Sequence, residues 1–111
     1  MDSMLKKKDW SQVPRRALNP VEIVQRLAAV PGWQLTGEGA EVAIAKTYTF
    51  ADYHETISFV NAVAFIADAQ DHHPDLSVHY NRCVVRLNTH DVKGLSETDF
   101  ECAARIDALL A

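Results

Sequence analysis

The sequence predicts an α+β fold: a four-stranded antiparallel sheet with three helices packed on one face, in the order α-β-β-α-β-β-α. Three segments carry helix start and stop signals, and the two stretches between them alternate apolar and polar residues about tight turns. All connections are short, which favours hairpins within one sheet and helices gathered on one of its faces.

The first helix is expected in LNPVEIVQRLAAVPGW, where Asn19 can cap, Pro20 suits the first helical position, and Ile23, Leu27 and Val30 recur at helical spacing. Pro31 and Gly32 stop it. Trp33 and Leu35, a turn through residues 37–39, then Val42, Ile44, Tyr48 and Phe50 read as a hairpin of period two. The second helix starts with Asp52 and Glu55 at the spacing of mutual capping and continues through Ile57, Val60, Val63, Ala64 and Ala67 as its apolar face. Pro74 biases His73 away from helical geometry, so this helix should end near Asp71. Leu76, Val78 and Tyr80, a turn near Asn81 and Arg82, then Cys83, Val85 and Leu87 form the second hairpin. Ser96 and Asp99 open the closing helix, with Phe100, Ala103, Ile106 and Leu110 following. The sheet face away from the helices must be solvated or covered by a partner.

A chain of 111 residues supports one core. No apolar run approaches the roughly 20 residues of a membrane helix, and the basic start has no apolar stretch behind it, so a soluble, cytoplasmic protein is expected. The formal net charge is -4, yet residues 1–16 hold five Lys or Arg against two Asp. Residues 1–17 are therefore expected to be a basic, solvated tail and residues 18–111 the domain, with no nucleic acid or membrane partner. Cys83 and Cys102 show neither metal spacing nor a disulfide framework.

Chemistry concentrates in DAQDHHPDLSVHY, residues 68–80, and at His90. His72 and His73 fall at the exit of the second helix, where the carbonyl end of the macrodipole attracts positive charge, so they are candidate proton donors. Asp68 lies four residues before His72 and is expected to reach that ring and fix its tautomer. Arg86, Asn88 and His90 have the parity opposite to the core positions of the last strand. If the helix ends beside that strand, three imidazoles meet at one pocket mouth, which is what a general acid and base pair requires. A three-imidazole metal site is the competing reading. Adjacent histidines tend to diverge, and no Cys, Asp or Glu at ligand spacing completes a set, so no metal is expected.

The spacing of Asp68, His72-His73-Pro74, Tyr80, His90 and Asp99, with THDVKGLSETD after the last strand, resembles the signature of the pterin-4a-carbinolamine dehydratases over roughly residues 18–110. The resemblance implies a cytosolic hydro-lyase that removes water from 4a-hydroxytetrahydropterin (4a-hydroxytetrahydrobiopterin) and returns quinonoid dihydropterin to tetrahydropterin recycling. It implies a homodimer or homotetramer and no metal or bound cofactor. By resemblance His72, His73 and His90 are catalytic, and Asp68, Pro74, Thr89, Asp91 and Val92 lie at the substrate. Asp68 stands where the family usually has the longer Glu. Asp99 is read chiefly as a helix cap and Tyr80 as packing. The family also contains binding modules that meet helical protein partners without catalysis, and this is the alternative reading.

Overall fold

The computed structural model describes residues 15–111, and its seven main elements follow the expected order. They are α1 (Pro20–Ala28), β1 (Gln34–Thr36), β2 (Ala43–Thr49), α2 (Tyr53–Gln70), β3 (Asp75–Val78), β4 (Arg82–Leu87) and α3 (Glu97–Ala108), with short 3-10 turns at Gly39–Glu41 and His90–Val92. All strand pairs are antiparallel, in the spatial order β1-β2-β4-β3. The α+β architecture is therefore as the sequence predicts.

Register decides which side chains meet the helices. Ile44 faces Leu87 and Tyr48 faces Cys83 across β2 and β4, and these residues join Val85, Val63, Phe59, Phe100 and Ile106 in one core. Each fully buried aliphatic such as Ile44 or Leu87 contributes about 1.5–3 kcal/mol of transfer free energy. On the opposite sheet face Thr47 and Thr49 are exposed, so that face is open within one chain. The hairpin between β1 and β2 depends on Gly37 (φ 78°), where a Cβ would sit 2.2 Å from the Glu41 carbonyl oxygen.

Several local expectations are revised. Val30 packs in the core from beyond the end of α1, which itself buries no residue completely. The buried face of α2 is carried by Thr56, Phe59, Val63, Ile66 and Ala67, while Ile57 and Val60 are half-buried and Ala64 is exposed. Apolar residues ring α2, so spacing alone could not pick its inner face. The capping at its start is shifted by one residue: Asp52 accepts the Glu55 N–H at 2.9 Å, but the Glu55 carboxylate accepts from Ala51. Tyr80 lies beyond β3 in the hairpin turn, exposed and stacked on Tyr53 at 6.4 Å between ring centroids. The His79 N–H bonds to the Arg82 carbonyl at 2.9 Å and so closes the turn before Tyr80 can join the strand.

Of the expected tail, Lys6, Lys7 and Lys8 lie outside the described residues. Arg15 and Arg16 are engaged with the body: Arg16 pairs with Glu22 at 2.7 Å and Arg15 donates to the Asp71 carbonyl at 2.6 Å. The next chain contact is the Leu18 N–H on the Leu95 carbonyl, at 2.8 Å. At the far end of α3, Asp107 accepts from the Trp33 indole at 3.1 Å, from the Lys46 ammonium at 2.8 Å and from the Tyr48 hydroxyl. Burial, reinforced by Asp107, pushes the Tyr48 phenol upward, so it stays a donor. This clamp fixes α3 on the sheet and with it the position of Asp99 two turns earlier.

Candidate active site

The way α2 ends separates the two neighbouring histidines. Asp71 adopts the left-handed conformation (φ 48°), its N–H bonds to the Asp68 carbonyl at 3.2 Å, and the His72 N–H reaches back to the Ala67 carbonyl at 3.0 Å. These two bonds make a Schellman motif with Asp in place of the usual Gly. The reversal folds His72 back against the core, where it is 5% exposed, and releases the chain so that His73 points outward ahead of Pro74 and β3.

The expected contact between Asp68 and His72 is not formed. His72 presents Nε2 to Asp99 Oδ1 at 2.5 Å, and Asp68 instead stands 3.8 Å from His73 Nε2. A carboxylate accepts from the ring, so Nε2 carries a proton toward Asp99 and Nδ1 is the ring nitrogen outside that bond. Asp99 is fully buried, and both of its carboxylate oxygens are hydrogen-bonded. Its Oδ2 accepts the Thr89 hydroxyl at 2.7 Å and the Ser96 N–H at 2.9 Å, while the Ser96 hydroxyl donates to Thr89 Oγ1 at 2.6 Å. Asp99 thus combines the helix-capping role read from the sequence with a bond to a signature histidine. The spacing of the signature contained that signal, but the pairing joins residues 27 apart and is set by the fold.

Thr89 is buried, and its hydroxyl is spent inside this network. Its backbone pairs with Gly94 in both directions and closes a small loop that carries the His90–Val92 turn. His90 therefore extends from a 3-10 turn beyond β4, not from the strand, and is exposed. Asp91 and Val92 line a recess of about 440 Å³ with Arg15 and Asp71. His73 and Asp68 line a separate open groove of about 650 Å³ with Asn61, Ala64 and Phe65. The structure thus joins His72 to Asp99, His73 to Asp68, and the turns next to His72 and His90 through Arg15. Pro74 is half-buried between the two histidines and β3. Among the described residues no three His, Cys, Asp or Glu side chains form a metal-ligand cluster, and no helix is long and apolar enough to cross a membrane.

The fold and its buried imidazole–carboxylate pair define a small α+β protein with the components of an acid–base site. Residues 16–109 match the family described as pterin 4 alpha carbinolamine dehydratase. A protein of Paracidovorax citrulli (strain AAC00-1) with the provisional name pterin-4-alpha-carbinolamine dehydratase is 78% identical over 109 residues, covering 98% of this chain and 94% of that protein. A similarly named protein of Chromobacterium violaceum is 48% identical over 91% of this chain and 93% of its own length. Among solved structures, a transcriptional coactivator/pterin dehydratase from Brucella melitensis superposes with TM-score 0.80 at 31% identity, over 86% of this chain and all of that one. A pterin dehydratase-like protein identified as a RuBisCO assembly factor in the alpha-carboxysome gives TM-score 0.61 at 25% identity, over 70% and 88%. The chain belongs to the pterin-4a-carbinolamine dehydratase family.

Proposed function

We propose that the protein is a 4a-hydroxytetrahydropterin dehydratase that works by histidine acid–base catalysis. The observation that carries this reading is the buried His72–Asp99 pair within a chain that also keeps His73 and His90. Dehydration of the carbinolamine breaks the C4a–O bond. A proton joins the departing hydroxyl, which leaves as water, and the proton on the adjacent ring nitrogen N5 is removed as the C=N bond forms. With its Nε2 proton held by Asp99, His72 is a preoriented base whose Nδ1 takes the N5 proton. His90, exposed on its turn, protonates the hydroxyl, and His73 hydrogen-bonds the pterin. Pro74, Thr89, Asp91 and Val92 shape the backbone that the ring meets, and Asp68 orients His73. Each positioned acid or base contributes about 10²- to 10⁴-fold.

The test is the ultraviolet decay of 4a-hydroxytetrahydropterin with and without the protein. Acceleration in the full chain, reduced at least about tenfold in His72→Ala and in His90→Ala, supports the assignment. Full activity in both variants, or no acceleration by the parent, overturns it. The second outcome would favour a non-catalytic role of the kind given for the alpha-carboxysome relative. We place the reaction in cytoplasmic tetrahydropterin recycling, carried out by a homodimer or homotetramer. The edges of β1 and β3 and the exposed side chains Leu35, Phe65 and Val78 supply surface for such pairing. A monomer in sedimentation at micromolar concentration would contradict the assembly.

A further inference from the structure

We propose that Arg15 is a positioning residue for the histidine site, a guanidinium strap that holds the end of α2 against the His90 turn. The inference rests on the dehydratase reading for its catalytic consequence but not for its geometry. Arg15 is largely covered, its side chain 16% exposed. Nη2 donates to the Asp71 carbonyl at 2.6 Å and Nη1 to Asp91 Oδ2 at 3.4 Å. Asp71 immediately precedes His72, and Asp91 immediately follows His90. One side chain therefore touches both loops that carry the proposed proton-transfer pair, although those loops are far apart in sequence.

Three features make the contact more than a surface ion pair. The Asp71 carbonyl belongs to the end of α2, where the helix leaves its carbonyls without intrahelical donors, so a cation there both satisfies an acceptor and complements the helix dipole. The two loops each contain a non-glycine residue in the left-handed region, Asp71 (φ 48°) and Lys93 (φ 54°), and such conformations persist where the surroundings enforce them. The planar fork of arginine reaches the carbonyl and the carboxylate from two separate nitrogens held in fixed geometry, whereas the three donors of a lysine ammonium all leave one nitrogen and require both acceptors to converge on it. The same guanidinium lines the recess of about 440 Å³ with Asp71, Asp91 and Val92, so displacement of the strap would reshape that recess. Residue 15 also falls in the segment that composition assigns to a solvated tail.

The test compares full-length Arg15→Ala and Arg15→Lys with Arg16→Ala, whose parent side chain bonds to Glu22 instead. Amide hydrogen exchange is read at His72, Val92 and Lys93, whose N–H groups close the two loops, with amides of β4 and α3 as internal reference. Arg15→Ala is expected to speed exchange at the loop amides at least about tenfold while the reference amides hold. In parallel kcat for 4a-hydroxytetrahydropterin should fall about 5- to 100-fold with little change in KM, the cost of a misplaced pair. Arg15→Lys should recover only part of both effects and Arg16→Ala should show neither. Unchanged loop exchange in Arg15→Ala, full recovery by lysine, or a parallel rise at the reference amides would overturn the strap. A parent protein without turnover would instead overturn the dehydratase reading, and the exchange pattern would still decide for or against the strap.

Discussion

Two helices of this protein begin with the same local device and use it differently. α1 opens with Asn19 and Glu22, α3 with Ser96 and Asp99, and in each capping box the carboxylate accepts the cap residue's N–H, at 3.0 Å and 2.9 Å respectively. At α1 the remaining acceptor capacity goes to the exposed Arg16 guanidinium, at 2.7 and 2.9 Å. At α3 it goes to the Thr89 hydroxyl and the His72 ring, and the carboxylate has no exposed surface. In water an unmet lone pair is met by solvent, whereas in the core it must be met by protein. The exposed box therefore steadies one helix end, and the buried box dictates the orientation of every group bonded to it.

The sharpest way to break the comparison is to remove the carboxylate from each box. Asp99→Asn keeps the volume but offers an amide to groups that need an acceptor, so it should cost about 3 kcal/mol of stability and at least about 10²-fold in turnover per folded molecule. Glu22→Gln should leave turnover unchanged. Urea unfolding combined with the pterin assay reads both quantities, and equal responses in the two variants would show that burial of the box carries no functional weight.

A finer cut leaves the carboxylate and removes one donor. Thr89→Val preserves shape but deprives Asp99 Oδ2 of a hydroxyl and the Ser96 hydroxyl of its acceptor, for a loss of about 1–3 kcal/mol. Turnover should fall less than in Asp99→Asn, because the His72 bond is untouched. Thr89→Ser restores both bonds and should return most of the stability. Chemical denaturation checks the series, and a Val variant as stable as the parent would mean that the Thr89–Asp99 bond contributes nothing net.

Much of this architecture was legible because it is local. Caps, turn residues and alternation of period two all act over a few residues, and the order of elements followed from them. The end of α2 near Asp71 was legible from Pro74 alone. What failed was tertiary. No spacing rule could say that His72 would turn inward to Asp99 and leave Asp68 to His73, because that choice depends on the reversal at Asp71 and on α3 arriving from 27 residues away. The inner face of α2 was hidden for a related reason: Phe59 and Phe65 are equally apolar, yet one is 4% and the other 53% exposed. Composition placed Arg15 in a solvated tail, since a charge reads as solvated until the carbonyl it caps is known.

The thiol of Cys102 reports on the buried box without altering it. Burial first, and the Asp99 charge second, push this thiol up to about 12, so it is a poor nucleophile at neutral pH. Native protein at about pH 8 should react with a thiol reagent only through transient opening. Reaction at Cys102 should quicken in Asp99→Asn and stay at the parent rate in Glu22→Gln. A rate in the parent matching that of a free thiol would contradict the closed packing around α3.

The smallest effect belongs to the exposed box and is read by pH. The hydrogen bond from Arg16, then that from the Asn19 backbone, hold the Glu22 carboxyl down at about 2 against an ordinary value of 4.5. A depressed carboxyl binds its proton less readily when folded, so its contribution is present above about pH 4.5 and is lost as pH falls toward 2. Glu22→Gln has no proton to gain, and its acid unfolding profile should be flatter over that window. Because Glu22 and Arg16 are open to solvent, about 1 M salt should shrink the difference between parent and variant. Melting temperatures taken from pH 6 down to pH 2 at low and high salt provide the measurement. Parallel profiles at low salt would mean that the Arg16–Glu22 bond adds nothing to the cap, leaving the buried box at Asp99 as the one whose carboxylate matters to the fold.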